Sequence, residues 1–416
     1  MLNHQLASES GSAGLTIIPY WYQNDWGVAG RRHEMMARAL SAHPAVEKVL
    51  HLELPVPLHR LPKLLRAARR SAAHRDQLRR LFTTLHPAER LFLRTPWRPG
   101  PHHGDRHAPI RAVDAPILRA QFQRLRKQIV GDRRPRICWL YPPVAYWREL
   151  LDVMQPDLII TDVVDDAAAA PHLSPVEREH VRQQTVAQLR AADIAFAVSD
   201  ALCERYRSVQ PAIQRLPNAV SPARFQSLSS SFPPDLAGIP SPRIGYVGTL
   251  QHRIDGNLLR RVATTRPQYQ FVFVGIIHPQ FRHGPMKWLG RLPNIHFLGE
   301  RPWSDVPRYL AAFDACIIPH TQDDLTKSMD PLKLYEYLAA GKPVAATPVA
   351  GTPDFADLLY LADDADSFAR ALDRALAEDN SSRQAARRAA ILPHTWTARA
   401  SRVLEEHIYP FFETRQ

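Results

Sequence analysis

Asp330-Pro331-Leu332-Lys333-Leu334-Tyr335-Glu336-Tyr337-Leu338-Ala339-Ala340-Gly341-Lys342-Pro343-Val344 reads as a loop entering a helix, then a glycine stop, then a strand. Pro331 suits the first helical turn, where its missing N–H is no loss. Gly341 suits the stop, because helices commonly end on a residue in the left-handed region. A helix is therefore expected over residues 331–340 and a strand over 343–346. The N-terminus of such a helix presents unsatisfied N–H groups and favours an anion. Lys333, in the first turn, adds a positive charge beside a phosphate. Glu336 follows three residues on, on the same face. A carboxylate there can accept hydrogen bonds from sugar or ribose hydroxyls, so one helix end can hold both parts of a nucleotide.

Working outward, strands and helices alternate. Strands are expected at 243–247, 271–274, 295–298 and 315–318, with helices at 257–264, 306–311 and 366–377. The N-terminal half opens alike, with a strand at 16–19, a loop at 20–30, a helix at 31–40 and a strand at 46–54. Further strands are expected at 137–140, 158–162 and 194–198, and a helix at 175–190 capped by Ser174. This alternation predicts an α/β fold with parallel sheets. Residues 227–242, rich in Ser and Pro, read as a linker. The expected organisation is two Rossmann-like domains, over 1–226 and 243–395. A terminal helix over 396–416 packs back on the first, and a ligand cleft lies between the two. A chain of 416 residues suits that division.

Composition narrows the class. The hydrophobic fraction of 45% and charged fraction of 23% are those of a globular protein, which excludes wholesale disorder. Cys138, Cys203 and Cys316 form no C-x-x-C pair, so a zinc site or disulfide framework is not expected and a reducing compartment is. His33, His278, His283 and His320 lack metal-ligand spacing and read as structural. No apolar run is long enough for a membrane helix, and residues 1–15 do not resemble a secretory signal. The expectation is a cytoplasmic protein.

Charge is unevenly spread. The chain carries +12, but residues 57–136 hold 20 Lys or Arg against 5 Asp or Glu, a local +15 that leaves −3 elsewhere. Within it Leu61, Leu64, Leu65, Ala68, Leu78, Leu81, Phe82 and Leu85 recur at helical spacing. Arg66, Arg69, Arg70, Arg79 and Arg80 fall largely between them. A basic amphipathic helix can lie on an anionic membrane surface, which makes 57–136 the candidate membrane-contacting segment. A core-facing helix with a solvated Arg face is the plain alternative. No zinc-finger, RRM or KH signature is present, so nucleic acid is not expected as a partner.

The 330–344 stretch resembles the donor-binding motif of GT-B glycosyltransferases of the family-4-like group. Closer still, it resembles bacterial enzymes of polysaccharide and teichuronic-acid-type assembly. The resemblance extends to Ile244-Gly245-Tyr246-Val247-Gly248-Thr249-Leu250 with Arg253 and Asp255, to Asn294-Ile295-His296-Phe297-Leu298-Gly299, and to Phe313-Asp314-Ala315-Cys316-Ile317-Ile318-Pro319, in the family's order. It is strong over residues 243–355 and looser before them. Leu216-Pro217-Asn218-Ala219-Val220 is similar to the family's turn ahead of the linker, with Ala219 in place of Gly.

The resemblance implies the GT-B fold, with the second domain binding a nucleotide diphosphate sugar. It implies Gly248 and Thr249 near the donor phosphates, Arg253 on the diphosphate, Glu336 on the ribose, and the backbone from Gly299 facing the base. Ser328 stands where the family's first Glu would be, and Asp330 and Lys333 are the side chains expected to take over donor contacts. In the first domain, Asp165 and Asp166, just past a strand end, are candidates for acid–base work on an acceptor hydroxyl. A solvated turn reads them equally well. Gly27 and Gly30 form a candidate phosphate loop, backed by Arg31 and Arg32, or a simple tight turn. No metal or separate cofactor is implied. The donor is a substrate, UDP-sugar favoured over GDP-sugar, and the acceptor is a glycan or lipid-linked. The implied function is sugar transfer in cell-surface polysaccharide assembly at the inner face of the plasma membrane. A nucleotide-sugar epimerase and a non-catalytic sugar-nucleotide or lipid-binding protein are the alternatives.

Overall fold

The computed structural model describes residues 14–28, 30–69, 71–100, 113–132, 135–226, 232–281 and 285–415. Residues 101–112 of the basic segment, Arg70, residues 227–231 of the expected linker, and His283 lie outside the described residues. The chain forms two compact units. The first comprises Met1–Ala197, Cys203–Arg215 and Ala400–Gln416; the second comprises Val198–Leu202 and Leu216–Arg399.

The first unit holds an eight-stranded sheet of β1 (Leu15–Trp21), β2 (Val46–Glu53), β3 (Leu85–Ala88), β4 (Leu91–Arg94), β5 (Arg136–Leu140), β6 (Leu158–Val163), β7 (Ile194–Ala197) and β8 (Gln214–Arg215). The order is β8-β7-β6-β5-β1-β2-β4-β3, parallel except for the β3–β4 pair. Helix α1 (Arg32–Ala42) crosses from β1 to β2. The two central strands, β1 and β5, are buried from end to end, as strands covered on both faces must be.

The basic segment departs from the expected single amphipathic helix. Its stretch from Leu61 to Leu85 forms two helices, α2 (Leu61–Ala68) and α3 (Ala72–Phe82), and Leu85 begins β3 instead of extending a helix. The Arg face is not wholly solvated either. Arg80 is buried and donates to Glu53 at the end of β2, at 3.0 and 3.4 Å. Conversely, Leu65 and Phe82 are 47% and 57% exposed. Helix α4 (Pro175–Arg190) begins as expected: the Ser174 hydroxyl accepts from the Glu177 N–H, and the Glu177 carboxylate accepts from the Ser174 N–H.

The second unit holds a parallel six-stranded sheet of β9 (Arg243–Val247), β10 (Gln270–Val274), β11 (Ile295–Gly299), β12 (Ala315–Ile318), β13 (Val344–Ala346) and β14 (Tyr360–Leu361). Its order is β11-β10-β9-β12-β13-β14. Alternate residues serve opposite faces. Val272, Val274, Cys316 and Ile318 pack against Leu334, Tyr335, Tyr337 and Leu338 of α6 (Leu332–Ala339), which follows α5 (Gly256–Thr265). Phe271, Phe273, Ala315 and Ile317 pack against Leu258, Leu259 and Val262 of α5, and against Phe368 and Leu372 of α7 (Ala365–Ala377). Burying each such side chain contributes about 1.5–3 kcal/mol before entropy is charged against it. Pro331 proves to be the N-cap of α6, one residue ahead of its expected place in the first turn. Gly341, at φ +74°, is the left-handed stop.

The expected terminal helix is interrupted. Residues Trp396–Val403 are α-helical, Leu404–Ile408 widen into a π-turn, and Tyr409–Glu413 resume. Pro410 lacks an N–H to donate back along the helix, so the regular ladder breaks just ahead of it. Among the described residues, no helix is long and apolar enough to cross a membrane.

Candidate functional site

The second sheet reverses its order of build between β9 and β12. In open parallel sheets the ligand crevice lies outside the carboxyl ends of the strands at such a reversal. Gly248 leaves β9 there with φ +135°. A side-chain carbon on Gly275, which follows β10, would stand 2.1 Å from the Gly248 carbonyl, so only glycine lets these loops approach. The Gly248 N–H donates to Val274 O and the Gly275 N–H to Gly299 O, both at 2.9 Å. Thus Gly248 and Gly299 share one rim, and Thr249 is held to it through its carbonyl, which accepts from the Tyr246 hydroxyl at 3.3 Å.

Helix α6 points its N-terminus at this rim. The Tyr337 hydroxyl accepts from the Val247 N–H at 2.9 Å, pinning the helix to the end of β9. A side-chain carbon on Gly248 would lie 3.5 Å from Lys333 Cε, and Lys333 Nζ stands 5.1 Å over the Tyr246 ring. Burial, with Arg253 nearby, lowers the Lys333 ammonium to about 7, against the pull of Glu336. Burial raises the Glu336 carboxyl, while Arg224, Lys333 and the Trp303 indole act against the rise. Arg224 Nη1 is 4.0 Å from Glu336 Oε1, and its guanidinium stacks 3.2 Å from the Trp303 ring centroid. Arg253 Nη1 lies 3.7 Å from the Met329 sulfur.

Gly248, Thr249, Arg253, Lys333, Glu336 and Gly299 therefore gather around one strand-end rim. Tyr246, from the same motif as Gly248, lies with them, and Arg224 and Trp303 join them although their spacing in the chain carried no signal. Asp330 is engaged in the fold beside this rim. It is buried, and its carboxylate accepts from the Asn218 N–H at 2.7 Å and the Tyr335 hydroxyl at 2.9 Å. Ser328 is also buried, its hydroxyl donating to Leu325 O and its carbonyl accepting from Ser199 Oγ at 2.6 Å.

In the first unit Asp166 is buried and paired with Arg205, while Asp165 is part-exposed and its carbonyl accepts from Ala167 N–H. The loop after β1 does present N–H groups to anions, but to the chain's own carboxylates. Trp26 N–H donates to Glu53 and Gly27 N–H to Glu34, at 3.1 and 2.8 Å. Arg31 pairs with Asp25, and buried Arg32 grips Asp162 with two bonds. Gly27 and Gly30 both have positive φ, as a tight turn requires. The three cysteines are free and buried. Among the described residues no group of three His, Cys, Asp or Glu could hold a metal ion.

Residues 241–378 match the family model for glycosyl transferases group 1. Over 111 residues, 26% of this chain, the sequence is 33% identical to a candidate teichuronic acid biosynthesis glycosyltransferase, TuaH, of Bacillus subtilis (strain 168). The chain spans about a quarter of that relative's length (27%). Sucrose-phosphate synthase from Thermosynechococcus elongatus superposes with a TM-score of 0.66 at 17% identity, covering 96% of this chain and 100% of that one. A trehalose-6-phosphate structure from E. coli, bound with UDP-2-fluoro glucose, gives 0.64 at 12% identity, covering 94% and 98%. The chain thus has the GT-B fold, and its second unit resembles the group 1 glycosyltransferases over the segment that builds the rim.

Proposed function

We propose that this protein is a glycosyltransferase that takes a sugar from a nucleotide diphosphate sugar, with UDP favoured over GDP, and passes it to a glycan or lipid-linked acceptor. The observation that carries the reading is the convergence of Lys333, Arg253 and Glu336 on the Gly248 rim, inside the segment that matches the group 1 family. The cations and the α6 N-terminus answer the charge that develops on a diphosphate leaving group, the kind of electrostatic term that dominates such chemistry. Glu336, with Arg224 beside it, is the carboxylate for the ribose. Gly299 marks the rim where the base would lie. Asp165 is the acceptor-side base in this reading, and Asp330 acts by holding the loop from which α6 starts. The UDP preference draws support from the ligand in the E. coli structure, and the role in cell-surface polysaccharide assembly from the Bacillus relative. The protein works at the cytoplasmic face of the membrane, held there by the basic segment.

The test is calorimetry with UDP, GDP, ADP and TDP on the protein and on Lys333→Ala and Glu336→Ala. One diphosphate should bind, and each substitution should weaken it by about tenfold or more, the scale of losing a charge-assisted contact. No binding by any nucleotide to folded protein would defeat the reading and favour a non-catalytic lipid-binding role. Donor turnover to a free sugar nucleotide without an acceptor would instead mark an epimerase.

A further inference from the structure

His320 lies two residues past β12, across the reversal point from Gly248. Its position is fixed from several sides. Its N–H donates to Thr347 Oγ1 at 3.1 Å, and its carbonyl accepts from the same hydroxyl at 2.8 Å. It forms an antiparallel bridge with Ile254, and the neighbouring Thr321 N–H donates to Arg253 O at 2.8 Å. The loop carrying Arg253 and the loop carrying His320 are thus laced together.

The side chain is 1% exposed, and neither ring nitrogen has a hydrogen-bond partner among the described residues. Buried polar groups are rarely left so, and an orphan in a native protein calls for a missing partner or a functional role. Both cations of the rim, Lys333 and Arg253, act on this ring and, with burial, hold it neutral. A neutral imidazole always carries one N–H to give. A group that supplied an acceptor here while meeting two cations would be an anion with several oxygens.

Resting on the donor-site reading above, we infer that His320 is a ligand-contacting residue of that site, its ring donating one N–H to the diphosphate of the nucleotide sugar. The ring thereby fixes where the diphosphate sits between Lys333 and Arg253, a directional contact that two flexible cations do not supply. Spacing along the chain offered no hint of this, because a lone His after a strand reads as structural.

Two measurements test it. Binding of UDP, GDP, ADP and TDP is compared in His320→Phe, which keeps a ring but has no N–H, and His320→Gln, which keeps an N–H. The diphosphate that the wild type binds should weaken about tenfold in the Phe variant and recover in part in the Gln variant. In parallel, protein labelled with ¹⁵N-histidine is titrated with that diphosphate, and one ring resonance absent from the His320→Gln spectrum should shift on saturation. Wild-type-like affinity in both variants, or an unmoved His320 resonance, overturns the inference. If Lys333→Ala weakens binding while His320→Phe does not, this inference fails and the donor site stands. If the wild type binds no diphosphate, both fall. Should the Phe variant not fold, the ring resonance of the wild type decides alone.

Discussion

Lys333 carries opposing demands. In the donor-site reading a diphosphate needs its ammonium charged, yet burial and Arg253 lower its pKa to about 7. The groups that face it are the Arg253 guanidinium, Glu336, whose carboxyl is raised by burial, and His320, whose ring burial and the two cations hold well below the usual histidine range. A bound diphosphate favours the charged amine, so binding above neutrality draws in a proton. The sign follows from linkage: affinity is greatest at or below pH 7 and falls as pH rises, by at most about tenfold per unit. UDP affinity measured from about pH 7 to pH 9 should decline, and Lys333→Arg, whose guanidinium stays charged throughout, should flatten the decline. A wild-type profile as flat as that of Lys333→Arg would remove Lys333 from the diphosphate. The mirror effect appears in folding. Burial depresses His51 and His320, so the unfolded chain binds more protons than the native one as pH falls through the ordinary histidine range. Their share of stability is present above about pH 6.5 and is lost progressively below it, a trend that melting curves between neutral and acid pH will show.

At the scale of elements, α3 shows what periodicity conveys and what it hides. Helical spacing placed apolar residues on one stripe, and Leu64, Ala68 and Leu81 are indeed buried. It also assigned Arg80 to solvent and Phe82 to the core, and both are reversed. The reason is a partner that local spacing does not reveal. Glu53, at the end of β2, is wholly buried and accepts from both Arg80 and the Thr95 hydroxyl, the latter at 2.5 Å. Turning Arg80 inward to neutralise that carboxylate turns Phe82 out. Arg80→Ala would strand a buried charge and should cost about 3–5 kcal/mol, whereas Arg79→Ala, on the exposed side, should change stability by no more than about 0.5 kcal/mol. Denaturant melts of the two variants make the comparison, and equal losses would show that the Glu53 pair does not hold the helix. The same contrast explains the rest of the reading. Strands Arg243–Val247 and Ala315–Ile318 are legible to the residue because glycine or proline follows their buried runs. Lys333 and Glu336 are legible because one helical turn joins them. Arg224 and Trp303 reach Glu336 only through the folded chain, and Asp330 is drawn away by Asn218 and Tyr335, contacts that local spacing does not disclose.

For the molecule as a whole, the membrane contact proposed above rests on the charge distribution. Residues 57–136 carry +15 against a chain total of +12, so the rest of the chain is slightly acidic. On α2 and α3 the exposed Lys63, Arg66, Arg69, Arg75 and Arg79 accompany exposed Leu65 and Phe82. Cations flanking solvent-facing apolar side chains suit the headgroup layer of an anionic membrane, where each basic residue contributes about 1 kcal/mol at the surface. Arg80 is excluded from that sum by its bond to Glu53. The reading requires two separable components. Vesicles containing about 30% anionic lipid should retain the protein at low salt and release most of it near 1 M salt, where the screening length shrinks to about 3 Å. Neutral vesicles should retain little. Leu65→Ser with Phe82→Ser should weaken retention at low salt while leaving its salt dependence in place, because the apolar component is lost and the charge is not. Retention equal on neutral and anionic vesicles would remove the basic face from membrane contact. Retention unaffected by the double substitution would reduce the contact to charge alone and leave the exposure of Phe82 to be explained by the Arg80–Glu53 pair.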